Sequence, residues 1–188
     1  MPMLRFHRLS LTDLTQRYNQ GQIRFERQDL THLSLKDVRF PFLELVECNL
    51  QGVNLSRAFL PGAVFDQTRL HRANLNRINL IGADLVRVDC SAASLHHAML
   101  SGACLTGANF SEANLMEASL SGCDLRGANL KRANLRGATL CHANLQGADL
   151  RRADLTGTDL TGANLLGTLM PDSTYIDYRQ ELLVAGSD

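Results

Sequence analysis

A narrow all-β solenoid is the fold class this sequence predicts. Three observations predict it: a five-residue beat, a small residue two places before each beat, and glycine two places after it. From Phe25 to Met170 every fifth residue gives thirty centres; twenty-four are Leu, four are Phe (Phe25, Phe40, Phe65, Phe110), and the others are Cys90 and Met170. No insertion breaks the register. Two residues before the centre the chain has Ala seventeen times in thirty, as in Ala103, Ala128 and Ala163, and one residue before it has Asn or Asp seventeen times, as in Asn74, Asp124 and Asn134. Twelve of the fourteen glycines fall two residues after a centre.

A helix cannot use this pattern, because five steps turn each centre by about 140° from the last and wind the leucines around every side. A flat strand fails too, since five steps throw successive centres to opposite faces. Each unit is therefore a short extended segment whose small residue and centre point the same way, followed by a corner made of the next two residues. Glycine in the second corner place fits a type II turn, which needs positive φ at its third residue, and Pro61-Gly62 has the favoured order. Corner glycines Gly62, Gly82, Gly102, Gly122 and Gly162 recur every twenty residues, interrupted by His142. Four units then make one coil. Coils stacked through parallel strand pairing about 4.8 Å apart give roughly 7.5 coils and a rod about 36 Å long. Leucine stacks on leucine inside, and the small Ala sits where the interior is too narrow for a second large side chain.

The runs ANLMEASL, GANLKRANL, GADLRRADL and GTDLTGANL resemble the pentapeptide-repeat family, whose pattern is A(D/N)LXX. The resemblance implies a right-handed, four-sided parallel β-helix. It covers about residues 23 to 170 and is most specific from Ala103 to Leu165. Before Leu70, where Gln28, Leu33, Leu43 and Thr68 take the small-residue place, distorted or wider coils are expected.

An open coil exposes unpaired backbone at both ends, so caps are expected. Ser10-Leu11-Thr12-Asp13 reads as a capping box, with Leu9 and Leu14 placed as a hydrophobic staple and Gly21 as a stop. This predicts a short helix over residues 11 to 20 that lays Leu11, Leu14 and Tyr18 on the first coil. Pro171 ends the repeat, and Tyr175, Ile176, Tyr178, Leu182 and Leu183 offer an apolar cover for the last coil of the same chain or of a second one. The Leu-Met-Pro-Asp start of this tail is similar to the ends of cyanobacterial family members. The chain thus divides into residues 1–21, an N-terminal segment with a capping helix, residues 22–170, the coil, and residues 171–188, a C-terminal cap.

Nineteen basic and nineteen acidic residues leave the chain neutral, which argues against a nucleic-acid binder. Residues 1–21 lean basic and residues 171–188 acidic. The opening MPMLRFHRLSLTDLTQRYNQ lacks a signal-peptide core, and no later run is long enough to span a bilayer, so a soluble cytoplasmic protein is expected. Five cysteines at irregular spacings (Cys48, Cys90, Cys104, Cys123, Cys141) suit a reducing compartment rather than a disulfide framework.

Outward residues repeat by column, so a site should line up at twenty-residue spacing. His96-His97 has Arg77 one coil below His97 and Glu117 one coil above. A metal wants three or four convergent ligands, and a solvated ladder is the preferred reading. Cys141-His142 suggests a thiol beside a base, but corner neighbours point apart and no acid occupies the aligned positions Ser121, Thr161, Gly122 and Gly162. Cys48, Cys90 and Cys123 fall at inward places and Cys104 at an outward one. The Asn and Asp column is read as local backbone hydrogen bonding, not acid–base machinery. No phosphate loop, nucleophile elbow, cofactor fingerprint or metal motif is found. Lys131, Arg132, Arg151 and Arg152 do share one corner in consecutive coils, with His71-Arg72 lower on it and Glu112 interrupting. They form a candidate docking patch for an acidic partner, against the plainer reading of a solvated face.

The expected function is a non-catalytic scaffold or protein-interaction module, not an enzyme, with no cofactor, no membrane association, and a monomer or weak dimer through the coil ends. The alternative follows from the resemblance, which extends to quinolone-resistance proteins that mimic DNA and bind gyrase. Those mimics are acidic along their length and some carry loops; this chain is neutral and loop-free.

Overall fold

The computed structural model describes residues 6–176. Strand β1 (His7–Arg8) and helix α1 (Leu11–Asn19) precede the coil. Short strands β2 (Arg24–Glu26), β3 (Gln28–Asp29), β4 (Glu44–Val46) and β5 (Val64–Asp66) lie in its first turns. Phe25 pairs with Leu45 and Leu45 with Phe65, all parallel. Higher up, single bridges continue the pairing, from Asp29↔Asn49 to Asp149↔Leu169, always to the residue twenty further on. The chain is therefore a parallel β-solenoid with four five-residue sides per coil.

The corners explain the glycines. At every second corner residue from Arg27 to Gly167 φ is positive, seventeen of them non-glycine and twelve glycine. The carbonyl of the centre accepts the N–H three residues on, as Leu125 does from Ala128 and Leu130 from Ala133, each at 3.0 Å. These are the features of a type II turn. Glycine eases the geometry, but the coil imposes it on Arg, His and Glu alike.

The seventeen Asn and Asp residues before the centres do one job. In every one the side-chain oxygen accepts the N–H two residues on, as Asn134 does from Arg136 at 3.1 Å and Asp84 from Val86 at 3.0 Å. That N–H belongs to the first corner residue, which no other coil reaches. Local capture satisfies it.

Every centre from Phe25 to Leu150 is buried, with the Ala column beside it. The early coils are widened in one column only. The corners after Phe25, Leu45 and Phe65 lack the closing bond, while Arg27 still donates to Val46 O and Glu47 to Asp66 O, the coil-to-coil bond that closed corners also make. Gln28, Cys48 and Thr68 follow these corners, whereas the corners after Phe40 and Phe110 close normally. Leu33 and Leu43 were expected to distort the coil as well, yet their N–H groups close normal corners to Leu30 O and Phe40 O, each at 3.2 Å.

Helix α1 starts at Ser10, whose hydroxyl accepts from Asp13 N–H at 3.1 Å. It ends with Gly21 at φ 92°. Leu9 and Leu14 are buried on the first coil, and the Tyr18 ring stands 4.6 Å from Phe40 while its hydroxyl donates to Pro41 O. Leu11, expected on this face, is instead 36% exposed, because the staple pair and Tyr18 already fill the contact. Strand β1 pairs in parallel with β3, covering one side of the entry edge.

At the other end Tyr175 forms an antiparallel bridge with Leu169, and Ile176 exchanges bonds with Thr168 O and Gly167 N. This return covers one side of the last coil. Leu155, Leu160 and Met170 are only partly buried beneath it. Tyr178, Leu182 and Leu183 lie outside the described residues.

Candidate functional site

The coil brings the four predicted cations together. Lys131 and Arg132 occupy one corner, and Arg151 and Arg152 the same corner one coil up. With Ser111, Glu112, Asn129 and Ser173 they line a shallow concavity of about 490 Å³. The sequence did not reveal how much of this charge is already held. Asp149 binds Arg151 at 2.7 Å and Lys131 at 3.1 Å, and Glu112 binds Arg132 at 3.1 Å. Arg151 foremost, then Lys131, holds the Asp149 carboxyl well below the usual carboxylate range, against partial burial acting the other way. Asp149 in turn raises Arg151. Among the described residues Arg152 has no carboxylate within ion-pair range, and it is exposed. Asp149, one residue before its own centre, was missed because the Asn/Asp column reads as structural; it is, and it clamps two of the four cations as well.

Lower on this corner His71 is bonded to Ser91 Oγ at 2.9 Å, and Ser91 donates to Asp89 at 2.6 Å. The serine proton points to the carboxylate, not to the histidine, which is the reverse of an activated nucleophile. The His96 and His97 ring centroids lie 3.8 Å apart with the planes tilted by 42°, His97 Nδ1 is 3.3 Å from Glu117, and His96 Nδ1 is 3.0 Å from Met116 O. Among the described residues no group of three or more His, Cys, Asp or Glu side chains could hold a metal ion.

Cys141 does have an acid neighbour. Its thiol lies 2.9 Å from Asp159 Oδ2, a residue of the Asn/Asp column outside the aligned corner positions. The contact works against nucleophilicity: the hydrogen bond to Asp159 raises the thiol pKa, and it helps lower that of Asp159 to about 2. The His142 ring turns away and leans on Gly162 in the next coil. Burial pushes the Cys48 and Cys123 thiols up to about 11 and raises Cys90 further; all three are inert core groups. Cys104 is half-buried.

A four-sided parallel solenoid, with its chemistry confined to displayed columns, defines the class. The pentapeptide repeats family matches in eight copies spread over residues 44–170. The chain belongs to that family. No curated protein matches it. Among solved structures, HetL from the cyanobacterium Nostoc, a pentapeptide repeat protein involved in heterocyst differentiation regulation, is 27% identical over 89% of this chain and 99% of its own, with a TM-score of 0.34. A pentapeptide repeat protein from the cyanobacterium Cyanothece is 25% identical over 89% of this chain and 100% of its own, with a TM-score of 0.37. QnrB1, a plasmid-mediated fluoroquinolone resistance protein, is 18% identical over 92% of this chain and 83% of its own, with a TM-score of 0.65. The likeness to QnrB1 is one of fold. No described helix is long and apolar enough to cross a membrane.

Proposed function

We propose that this protein is a non-catalytic display scaffold, a right-handed four-sided β-helix over residues 22–170 with caps in 1–21 and 171–188, that docks a protein partner through Lys131, Arg132, Arg151 and Arg152. The carrying observation is the concavity at which these cations converge, with Arg152 unpaired among the described residues. Rigid columns hold such groups at fixed spacing, so a partner meets them without ordering them first. The family's character supports an interaction module over an enzyme. We place it in the cytoplasm, as five free thiols suit a reducing compartment. It is a monomer or a weak dimer through the coil ends, and light-scattering mass at several concentrations distinguishes the two.

Affinity capture from lysate, read by mass spectrometry, tests the patch. A partner retained by wild type and lost by the Arg132→Glu, Arg152→Glu double variant is expected. Recovery of the same proteins by both would remove the patch from the function. The second reading, a gyrase-binding DNA mimic, draws on the fold shared with QnrB1. Net neutrality speaks against it. A supercoiling assay with and without quinolone, showing neither inhibition nor protection, would end it.

A further inference from the structure

A different side of the rod breaks the rule that the coil otherwise follows. Among the described residues eighteen that are not glycine have positive φ, and all are polar, charged or Ala except one. Phe42 holds a large apolar ring in the left-handed conformation at φ 60° and leaves it 64% exposed. The fold does not need it there, since glycine serves the same corner one and two coils higher, at Gly62 and Gly82. Its ring lies up against Gly62, whose missing Cβ would come within 2.6 Å of it.

Phe42 is not isolated. The same corner carries Pro61 and then Ile81, 42% exposed, in consecutive coils joined through Phe42 N–H to Pro61 O and Gly62 N–H to Ile81 O. The flat side that leads into this corner runs Arg39↔Phe59↔Asn79↔Met99 by successive bridges, with Met99 42% exposed. One apolar band thus spans four coils, about 15 Å at strand spacing. Scattered exposed hydrophobes mean nothing, but contiguous ones mark contact surfaces.

The border of the band says what covers it. Arg39 lies over the Phe59 ring at 4.8 Å, and neither it nor Lys36 nor Arg77 has a carboxylate within ion-pair range among the described residues. The nearby acid Asp37 is bound to Arg57 at 2.8 Å, and Glu44, round the corner, to Arg24 at 3.1 Å; Asp84 lies on that same adjoining side. The band itself carries a cation and no carboxylate. A second copy pairing this band with its own would offer Arg39 no carboxylate, since the band has none. An acidic partner supplies one.

We propose that Arg39, Phe42, Phe59, Pro61, Ile81 and Met99 form a docking surface for a segment of another protein in which a large apolar side chain is flanked by carboxylates. Phe42 is the anchor, its exposed ring packing against that apolar side chain, and Arg39 pairs with a flanking acid. This surface is separate from the cation cluster of Lys131 and Arg152, and either stands if the other falls.

A random peptide library displayed on phage, selected on the wild-type protein, supplies the probe. Enriched peptides should pair a large apolar residue with neighbouring Asp or Glu, and a synthetic copy should bind more weakly as salt rises. Phe42→Gly should cut its affinity at least tenfold, as should Arg39→Glu, while Arg152→Glu leaves it unchanged. Phe42→Gly suits the left-handed corner, so a thermal midpoint equal to or above wild type shows that lost binding is not lost folding. Enriched peptides without the apolar–acidic pattern, or binding indifferent to Phe42→Gly, would overturn the proposal. So would a wild-type dimer, by light scattering, that Phe42→Gly converts to monomer, since the occupant would then be a second copy.

Discussion

Threonine replaces alanine in the small-residue column at Thr68, Thr158 and Thr168, with opposite consequences. The hydroxyls of Thr158 and Thr168 donate to Leu135 O and Leu145 O, at 2.7 and 2.8 Å. Thr68 Oγ1 is buried with no partner, in the column where the corner has opened. Removing a buried, unsatisfied hydroxyl should help, and removing a satisfied one should cost. Thr68→Val is expected to raise stability by about 1 kcal/mol and Thr168→Val to lower it by about the same, read from urea unfolding. A second comparison isolates the Phe42 contact. Gly62 and Gly82 share φ 64°, but a Cβ at Gly82 meets nothing within 4 Å. Both alanine variants incur left-handed strain of about 1–2 kcal/mol. Gly62→Ala should cost more, and the excess should vanish when Phe42→Gly is combined with it.

At the scale of elements, helix α1 and the cation corner carry predictions of different kinds. Ser10→Ala removes the cap on Asp13 N–H and should lower stability by about 1 kcal/mol. Leu14→Ala, which empties the helix's deepest contact with the first coil, should cost roughly 2–5 kcal/mol. In the corner, Asp149 is a clamp: Asp149→Asn keeps the oxygen that accepts Arg151 N–H yet frees the charge of Lys131 and Arg151. Titration calorimetry with a partner that depends on Arg152 should then show tighter binding than wild type.

For the whole molecule, the aspartates set the acid limit. Asp29, Asp124, Asp149, Asp154 and Asp159 all titrate below the ordinary 3.8, through hydrogen bonds led by Thr31, Arg126, Arg151, Thr156 and Cys141 respectively. A carboxylate with a depressed folded pKa adds stability that is complete above its unfolded value and disappears as pH falls through the folded one. Melting temperature should therefore be insensitive to these groups down to about pH 5 and drop steeply below about pH 4. Circular dichroism melts across that range check it. The coil that bears these groups was legible because its period is obligatory: Leu130 can be buried only if Phe110 below it and Leu150 above it are buried in register with it. The widened corners were harder to read, since Leu43 looked as disruptive as Gln28 and the difference lies in how neighbouring coils stack. The cation corner was visible as four letters, but Asp149 hid inside the repeat. Phe42 carried no signal in the sequence, because exposure depends on what the adjoining coils place around the ring.

The side-chain oxygens that capture the first corner N–H also leave the surface charge free to vary. Asn and Asp present the same acceptor there, so exchanging them keeps the corner hydrogen bond, although Asn109, Asn129 and Asn164 also donate to the coil below and Asp124 and Asp149 hold ion pairs. Seventeen positions thus carry a choice between a neutral and a negative group outside the buried core. The surface charge of such a rod can therefore be set in the same column that closes its corners.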